Sequence, residues 1–249
     1  MANVSVTHLE EGVFQLQMDA PDTKNQLNTE MIDTLSVALT TLRNESTLKV
    51  LILKGRKDIF CAGGTLDMLN DLSSGQTSVK EILQPLVGQI FGFPVPIIGA
   101  LEGHALGGGL MLALFCDILI AAEKSRYGAN FTSLGFTPGM GATSLLPALV
   151  GHHFASEMLF SAKLYKGREL KGRGLFNHIV PANDVMDVAL DIALRIAEKP
   201  QHVLKMLKDT LSQPRLQALQ QALYREHLMH DICFAYPETK ALIEATYSN

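Results

Sequence analysis

Three short runs, Val50–Leu53, Pro96–Leu101 and Ile118–Ala122, carry no polar side chain at any position. A strand of this kind has no face to offer water. It belongs in a sheet covered on both sides, which parallel strands with helical crossovers provide. The surrounding segments supply the helices. Asn28 is placed to cap a helix reaching about Arg43, with Met31, Ile32, Leu35, Ala38, Leu39 and Leu42 at helical spacing. An apolar helix over Leu110–Cys116 precedes the third run. Ahead of them all, Val4–Val6 and Val13–Met18 alternate well enough to be two strands joined by a Glu-Gly turn. This order predicts an α/β fold with right-handed crossovers.

The character changes after about Pro181. Asn183–Glu198, Gln201–Leu211 and Leu216–Phe234 read as helices, with Pro200, Pro214 and Pro237 as breaks. The expected organisation is a core over residues 1–195 and a helical C-terminal region over 196–249, rich enough in Leu, Met and Ala to pack on another subunit. With 249 residues, 47% hydrophobic and 18% charged, the chain can bury one sizeable core. A net charge of −4 offers no basic field for nucleic acid or an anionic membrane. No apolar run is long enough to span a bilayer, and the opening MANVSVTHLEEG lacks the basic and apolar regions of a signal peptide. Cys61, Cys116 and Cys233 are odd in number and scattered, so neither a disulfide framework nor a zinc pattern is expected, and a reducing cytoplasm suits them.

Two segments concentrate glycine where a strand gives way to a helix: Phe60-Cys61-Ala62-Gly63-Gly64-Thr65 and Gly103-His104-Ala105-Leu106-Gly107-Gly108-Gly109. Neither is a phosphate loop, because no Gly-Lys-Ser/Thr follows, and neither has dinucleotide-binding spacing. The residues alone admit two readings. The glycines allow tight strand-to-helix packing, or they free backbone N–H groups to face a developing oxyanion such as a thioester enolate.

The run from Gly103 through Leu110-Met111-Leu112-Ala113-Leu114-Phe115-Cys116-Asp117 resembles the signature of the crotonase (enoyl-CoA hydratase/isomerase) superfamily. Leu134-Gly135-Phe136-Thr137-Pro138-Gly139 and Leu145-Leu146-Pro147-Ala148-Leu149-Val150-Gly151 resemble it in the same order, so the likeness covers nearly the whole chain. The resemblance implies a spiral of ββα units, a helical C-terminal trimerisation region and a pantetheine thioester as substrate. It also implies an oxyanion hole whose two N–H donors fall on Gly64 and Gly108. Hydratases of this family use two glutamates, one three residues after the oxyanion glycine and one four residues before the Leu-Gly-x-x-Pro-Gly glycine. Those positions are Met111 and Phe131 here. Neither side chain can move a proton, so hydration by that route is not expected. Met111, Phe131 and Met140 are expected to line an acyl pocket instead.

An apolar pocket with an oxyanion hole and no carboxylate base suits a substrate that supplies its own electrons, as a decarboxylating acid does. Tyr127–Thr143, with Asn130-Phe131 in place of Pro-Glu, and Glu226-His227-Leu228-Met229-His230 with Phe234 are similar to a polyketide β-branching subgroup. Its members decarboxylate 3-methylglutaconyl groups on an acyl carrier protein. The subgroup's lysine and histidine fall on Lys80 and His230. Read from the residues alone, Lys80 is a solvated surface lysine and His230 an interfacial or capping histidine, with His227 as its local rival. His104 is expected to pack, His152 and His153 to lie on the surface, and Cys61 to be a small buried side chain. Two other readings stand beside decarboxylation: a Δ3,Δ2-enoyl thioester isomerase, and a non-catalytic subunit that docks a carrier protein. The substrate would bring its own phosphopantetheine or coenzyme A, and no metal or other cofactor is implied.

Overall fold

The computed structural model describes residues 3–75 and 77–247. Strand β1 (Asn3–Glu10) pairs antiparallel with β2 (Val13–Asp19), and Gly12 turns the corner at a φ of +78°. Helix α1 (Thr29–Arg43) follows, with the Asn28 side chain accepting the Met31 N–H at 2.8 Å as a cap. Three ββα units come next. The first has β3 (Val50–Lys54), β4 (Ile59–Cys61), α2 (Leu66–Ser73) and α3 (Val79–Phe91). The second has β5 (Ile97–Leu101), β6 (His104–Leu106) and α4 (Gly108–Leu114). The third has β7 (Ile118–Ala122), β8 (Arg126–Gly128), α5 (Ala142–Val150) and α6 (His152–Ser161).

The first strand of each unit enters one sheet and the second strand enters another. The larger sheet runs β1-β2-β3-β5-β7-β10, where β10 is His178–Val180. It is parallel from β2 onward. The smaller runs β4-β6-β8-β9, where β9 is Tyr165–Lys166. The large sheet is buried on both faces, which accounts for the unbroken apolar runs. Leu51, Leu53 and Leu101 face the main core, while Val50, Ile52, Ile98 and Ile120 pack beneath α7 (Val185–Ala197) through Val185, Ala189 and Ala193.

The C-terminal region departs from expectation at Pro214. The structure has one helix, α8 (Gln201–Phe234), where two were expected, and α9 (Pro237–Tyr247) after it. Proline inside a helix costs about 3 kcal/mol, so packing on both sides must hold it. Before the proline, the buried Lys208 ammonium donates to both oxygens of Asp117 at 2.7 Å. After it, Arg215 donates to the Leu114 carbonyl at 2.9 Å, and Leu219 is fully buried. These anchors carry the helix through its weak point. Among the described residues no helix is long and apolar enough to cross a membrane.

Candidate active site

β4 and β6 are parallel neighbours, so the glycine turns that follow them emerge side by side. Gly63 and Gly107 sit at φ of +93° and +51°, where a side chain would be strained. Gly109 serves close approach: a Cβ there would lie 2.1 Å from the Cys61 carbonyl oxygen. The packing reading and the donor reading of these glycines are therefore compatible, because different glycines serve each.

The two peptides that carry the Gly64 and Gly108 N–H groups are held by their carbonyls. The Gly63 carbonyl accepts the Leu27 N–H at 2.7 Å, and the Gly107 carbonyl accepts those of Leu110 and Met111 at 3.1 and 3.2 Å. In a trans peptide the N–H points opposite to its carbonyl, and a hydrogen bond at one end polarises the other. Gly108 also begins α4, where N–H groups lack intrahelical acceptors. The next carbonyl, that of Gly64, accepts from Gln26 Nε2 at 3.0 Å and from the Tyr247 hydroxyl at 2.7 Å. The last turn of α9 is thereby tied to the first glycine turn.

Gly64 and Gly108 border the same cavity, about 630 Å³ of atom-free space measured out to its mouth. Helix α2 lines it with Met68, Leu69 and Leu72, and the stretch after β8 adds Phe131, Phe136 and Met140. Phe131 and Phe136 meet edge to face at 6.0 Å, so aromatic carbon fills the place where the family resemblance puts a hydratase glutamate. The Met140 Sδ comes within 2.9 Å of where a Cβ on Gly108 would sit. No Asp or Glu occurs among the described lining residues. Met111 does not border the cavity. It is fully buried in α4, and its side chain joins the main core. Being one turn beyond Gly108 sets its place on the helix but not a view of the cavity.

His230, 4% exposed, closes the far wall from α8. Its Nε2 lies 2.8 Å from the Thr137 carbonyl oxygen. A carbonyl only accepts, so Nε2 must carry the hydrogen. Among the described residues Nδ1 is buried with no partner. Burial pushes the imidazole below its ordinary pKa of 6.5, against the opposing pull of the Thr137 carbonyl. The resting side chain is thus a neutral imidazole with a free lone pair, not a ready proton donor. The ring seats against Gly139, where a Cβ would stand 2.8 Å from Cε1, and Phe136 and Phe234 flank it at 5.8 and 5.6 Å.

One turn earlier, Glu226 is almost fully buried. Its carboxylate accepts from the Gly141 N–H at 2.7 Å and from the Thr143 N–H and hydroxyl at 3.0 and 2.6 Å, capping α5. Burial pushes this carboxyl above its usual range, and the three hydrogen bonds oppose the rise. Its rank beside His230 was visible in sequence, but its partner 85 residues away was not. Tyr247, a solitary tyrosine near the C-terminal end, gave no signal either.

The other candidates separate cleanly. His227 faces Asp231, with Nε2 3.9 Å from Oδ2, and does not border the cavity. His104 Nδ1 accepts the Arg126 N–H at 2.8 Å, a structural contact. His152 and His153 are exposed on α6. Cys61 is buried and its thiol is pushed up to about 12, so it is no nucleophile. Lys80 falls on the first turn of α3, three positions before the cavity-wall residue Leu83. Its side chain lies outside the described residues.

The enoyl-CoA hydratase/isomerase family profile matches residues 8–246. Bacillaene synthase decarboxylase PksI of Bacillus subtilis (strain 168) is 35% identical over 246 residues, 99% of this chain and 98% of that one. Human mitochondrial methylglutaconyl-CoA hydratase is 37% identical over 200 residues, 78% of this chain and 59% of that one. A solved structure from a dehydratase/decarboxylase enzyme couple involved in polyketide β-branching superposes with a TM-score of 0.94 at 35% identity, covering 99% of each chain. On the ββα spiral, the paired glycine turns and these matches, the chain belongs to the enoyl-CoA hydratase/isomerase family.

Proposed function

We propose that this protein is a decarboxylase of polyketide β-branching, acting on a 3-methylglutaconyl thioester carried by an acyl carrier protein. The observation that carries this reading is a cavity bordered by Gly64 and Gly108 with no carboxylate among its described lining residues. PksI and the solved β-branching structure carry decarboxylation in their descriptions, and the human relative carries the methylglutaconyl group in its name.

The chemistry follows from the donors. The bond between the γ-carbon and the carboxylate breaks, and carbon dioxide leaves. Its electron pair passes through the conjugated double bond to the thioester oxygen, giving a dienolate that the two N–H groups stabilise. One well-placed donor of this kind is worth about 3 kcal/mol. The apolar walls favour the spread charge of the transition state over the compact charge of the carboxylate. Protonation at the γ-carbon then gives a 3-methylcrotonyl-type product. In this scheme Lys80 returns the proton, and the His230 lone pair orients the donor by accepting its hydrogen bond. No cofactor beyond the substrate's own pantetheine is needed.

The same reading assigns the protein to the cytoplasm and makes it a homotrimer or a hexamer of two paired trimers. In support of assembly, α8 exposes Met206 (69%), Leu211 (61%) and Ile232 (62%) without a partner in the single chain. Mass spectrometry of a 3-methylglutaconyl carrier protein incubated with the enzyme tests the function. Loss of carbon dioxide supports it. Addition of water to the acyl group, or faster turnover of a non-carboxylated β,γ-enoyl thioester by isomerisation, overturns it. Lys80→Ala and His230→Gln should each lose release of carbon dioxide, and full activity in both overturns the site assignment.

A further inference from the structure

Asn130 lies between β8 and the single 3-10 turn Phe131–Leu134, where hydratases of the family resemblance carry proline. Its backbone is fixed: the Ser133 hydroxyl donates to its carbonyl at 2.7 Å. Its side chain caps nothing and makes no hydrogen bond among the described residues. The Oδ1 packs against Gly107, 3.0 Å from where a Cβ there would sit, and the residue borders the cavity beside Gly108. An asparagine at the start of such a turn would ordinarily bond the backbone ahead of it. Here the carboxamide is left over.

The other polar groups at the wall are spoken for. The Tyr247 hydroxyl gives its hydrogen to the Gly64 carbonyl, and His230 gives its Nε2 hydrogen to Thr137. The Gly64 and Gly108 N–H groups face the thioester oxygen in the reading above. Among the described side chains lining the cavity, the uncommitted hydrogen-bond donor is therefore Asn130 Nδ2. A carboxylate needs donors, since it only accepts, and the His230 lone pair would repel it.

We propose that Asn130 holds the carboxylate that the reaction expels, and so selects carboxylated acyl groups. This rests on the decarboxylase reading. A neutral amide suits a group that must be released, because it orients the carboxylate while giving up less ground-state stabilisation than an ion pair would. It also anchors the γ-carbon close to the oxyanion turns, since Asn130 touches Gly107.

The test uses two pantetheine thioesters that cannot decarboxylate, glutaryl with a terminal carboxylate and isovaleryl without one. Asn130→Leu should weaken glutaryl binding about 10- to 100-fold, the value of a lost bond to a charged group, and leave isovaleryl binding unchanged. Asn130→Asp, nearly isosteric but charged, should weaken glutaryl binding at least as much. Equal loss for both thioesters, or no loss for either in both variants, overturns the proposal. Wild-type release of carbon dioxide is scored separately. If there is none the decarboxylase reading fails, while the ratio of glutaryl to isovaleryl binding still judges Asn130.

Discussion

Gly109→Ala should disable the enzyme without touching a group that meets substrate. A Cβ at Gly109 would stand 2.1 Å from the Cys61 oxygen, 2.6 Å from its carbonyl carbon and 2.9 Å from its Cβ. Ordinary contact begins near 3.4 Å, so the first turn of α4 and the end of β4 would have to separate by more than 1 Å. The obstructing atoms are mostly backbone within a paired strand and cannot rotate away. Gly108 is the adjacent residue and Gly64 lies three beyond Cys61, so the separation moves the two N–H donors relative to each other. A misplacement of about 1 Å costs on the order of 100-fold in rate, and loss of one oxyanion donor costs about 100- to 1,000-fold. The overpacking itself costs about 1–3 kcal/mol of stability. Single-turnover release of carbon dioxide should therefore fall about 100-fold in a variant that still melts cooperatively. Gly108→Ala gives the contrast. Its nearest obstacle is the Met140 Sδ at 2.9 Å, the flexible end of a side chain, so it should lose far less. A Gly109→Ala enzyme with near wild-type rate, or a Gly108→Ala enzyme the more damaged of the two, would refute the reasoning.

Three further outcomes are expected. Gly88→Ala, in mid-α3 with open space around its Cβ position, should raise stability by about 1 kcal/mol in a denaturant titration and leave turnover unchanged. Glu226→Gln keeps the shape but has one acceptor oxygen for three donors, so it should lower stability by about 2 kcal/mol or more, seen as a reduced melting temperature. The lowered pKa of His230 means that, as pH falls through 6.5, the unfolded chain takes up a proton that the folded protein refuses. Stability should decline with acid from that point, the raised Glu226 carboxyl acting in the opposite sense at lower pH. His230→Gln should flatten the decline that begins below about pH 6.5 in wild type, and parallel profiles would contradict this.

What could be read from the residues divides by the range of the forces involved. The apolar runs at Val50–Leu53, Pro96–Leu101 and Ile118–Ala122 are strands because burial on both faces leaves a mark in every residue of the run. The Asn28 cap and the glycine turns are local too. Pro214 misled because its neighbours foretell a break, whereas Asp117, about a hundred residues away, holds the helix together through Lys208 and Arg215. Helix α2 starts at a Thr65 side chain that accepts the Met68 N–H, yet its eight residues span little more than two turns, too short a stretch for its apolar spacing to stand out. Glu226, Tyr247 and the idle amide of Asn130 acquire meaning only from partners brought near by the fold, or from the lack of one.

The same division explains how such a site can change its chemistry. The oxyanion hole proposed here, made of backbone N–H groups, would be specified by strand pairing, by carbonyls held from behind and by glycines that let α4 approach β4. None of these depends on the side chains at positions 111 and 131. Phe131, at the place where the resemblance puts a glutamate, packs on Phe136 and makes no demand on the backbone pairing that sets Gly64 and Gly108. Reversing the change would not simply restore hydration. Phe131→Glu would set a carboxylate in an apolar wall, where desolvation raises its pKa, and at neutral pH its charge would oppose the carboxylate proposed for Asn130. A site at Met111 would be worse placed, since that side chain is sealed in the core. With Gly64 and Gly108 bordering a cavity that has no carboxylate among its described lining residues, the proposed oxyanion hole suits a reaction whose electrons arrive with the substrate.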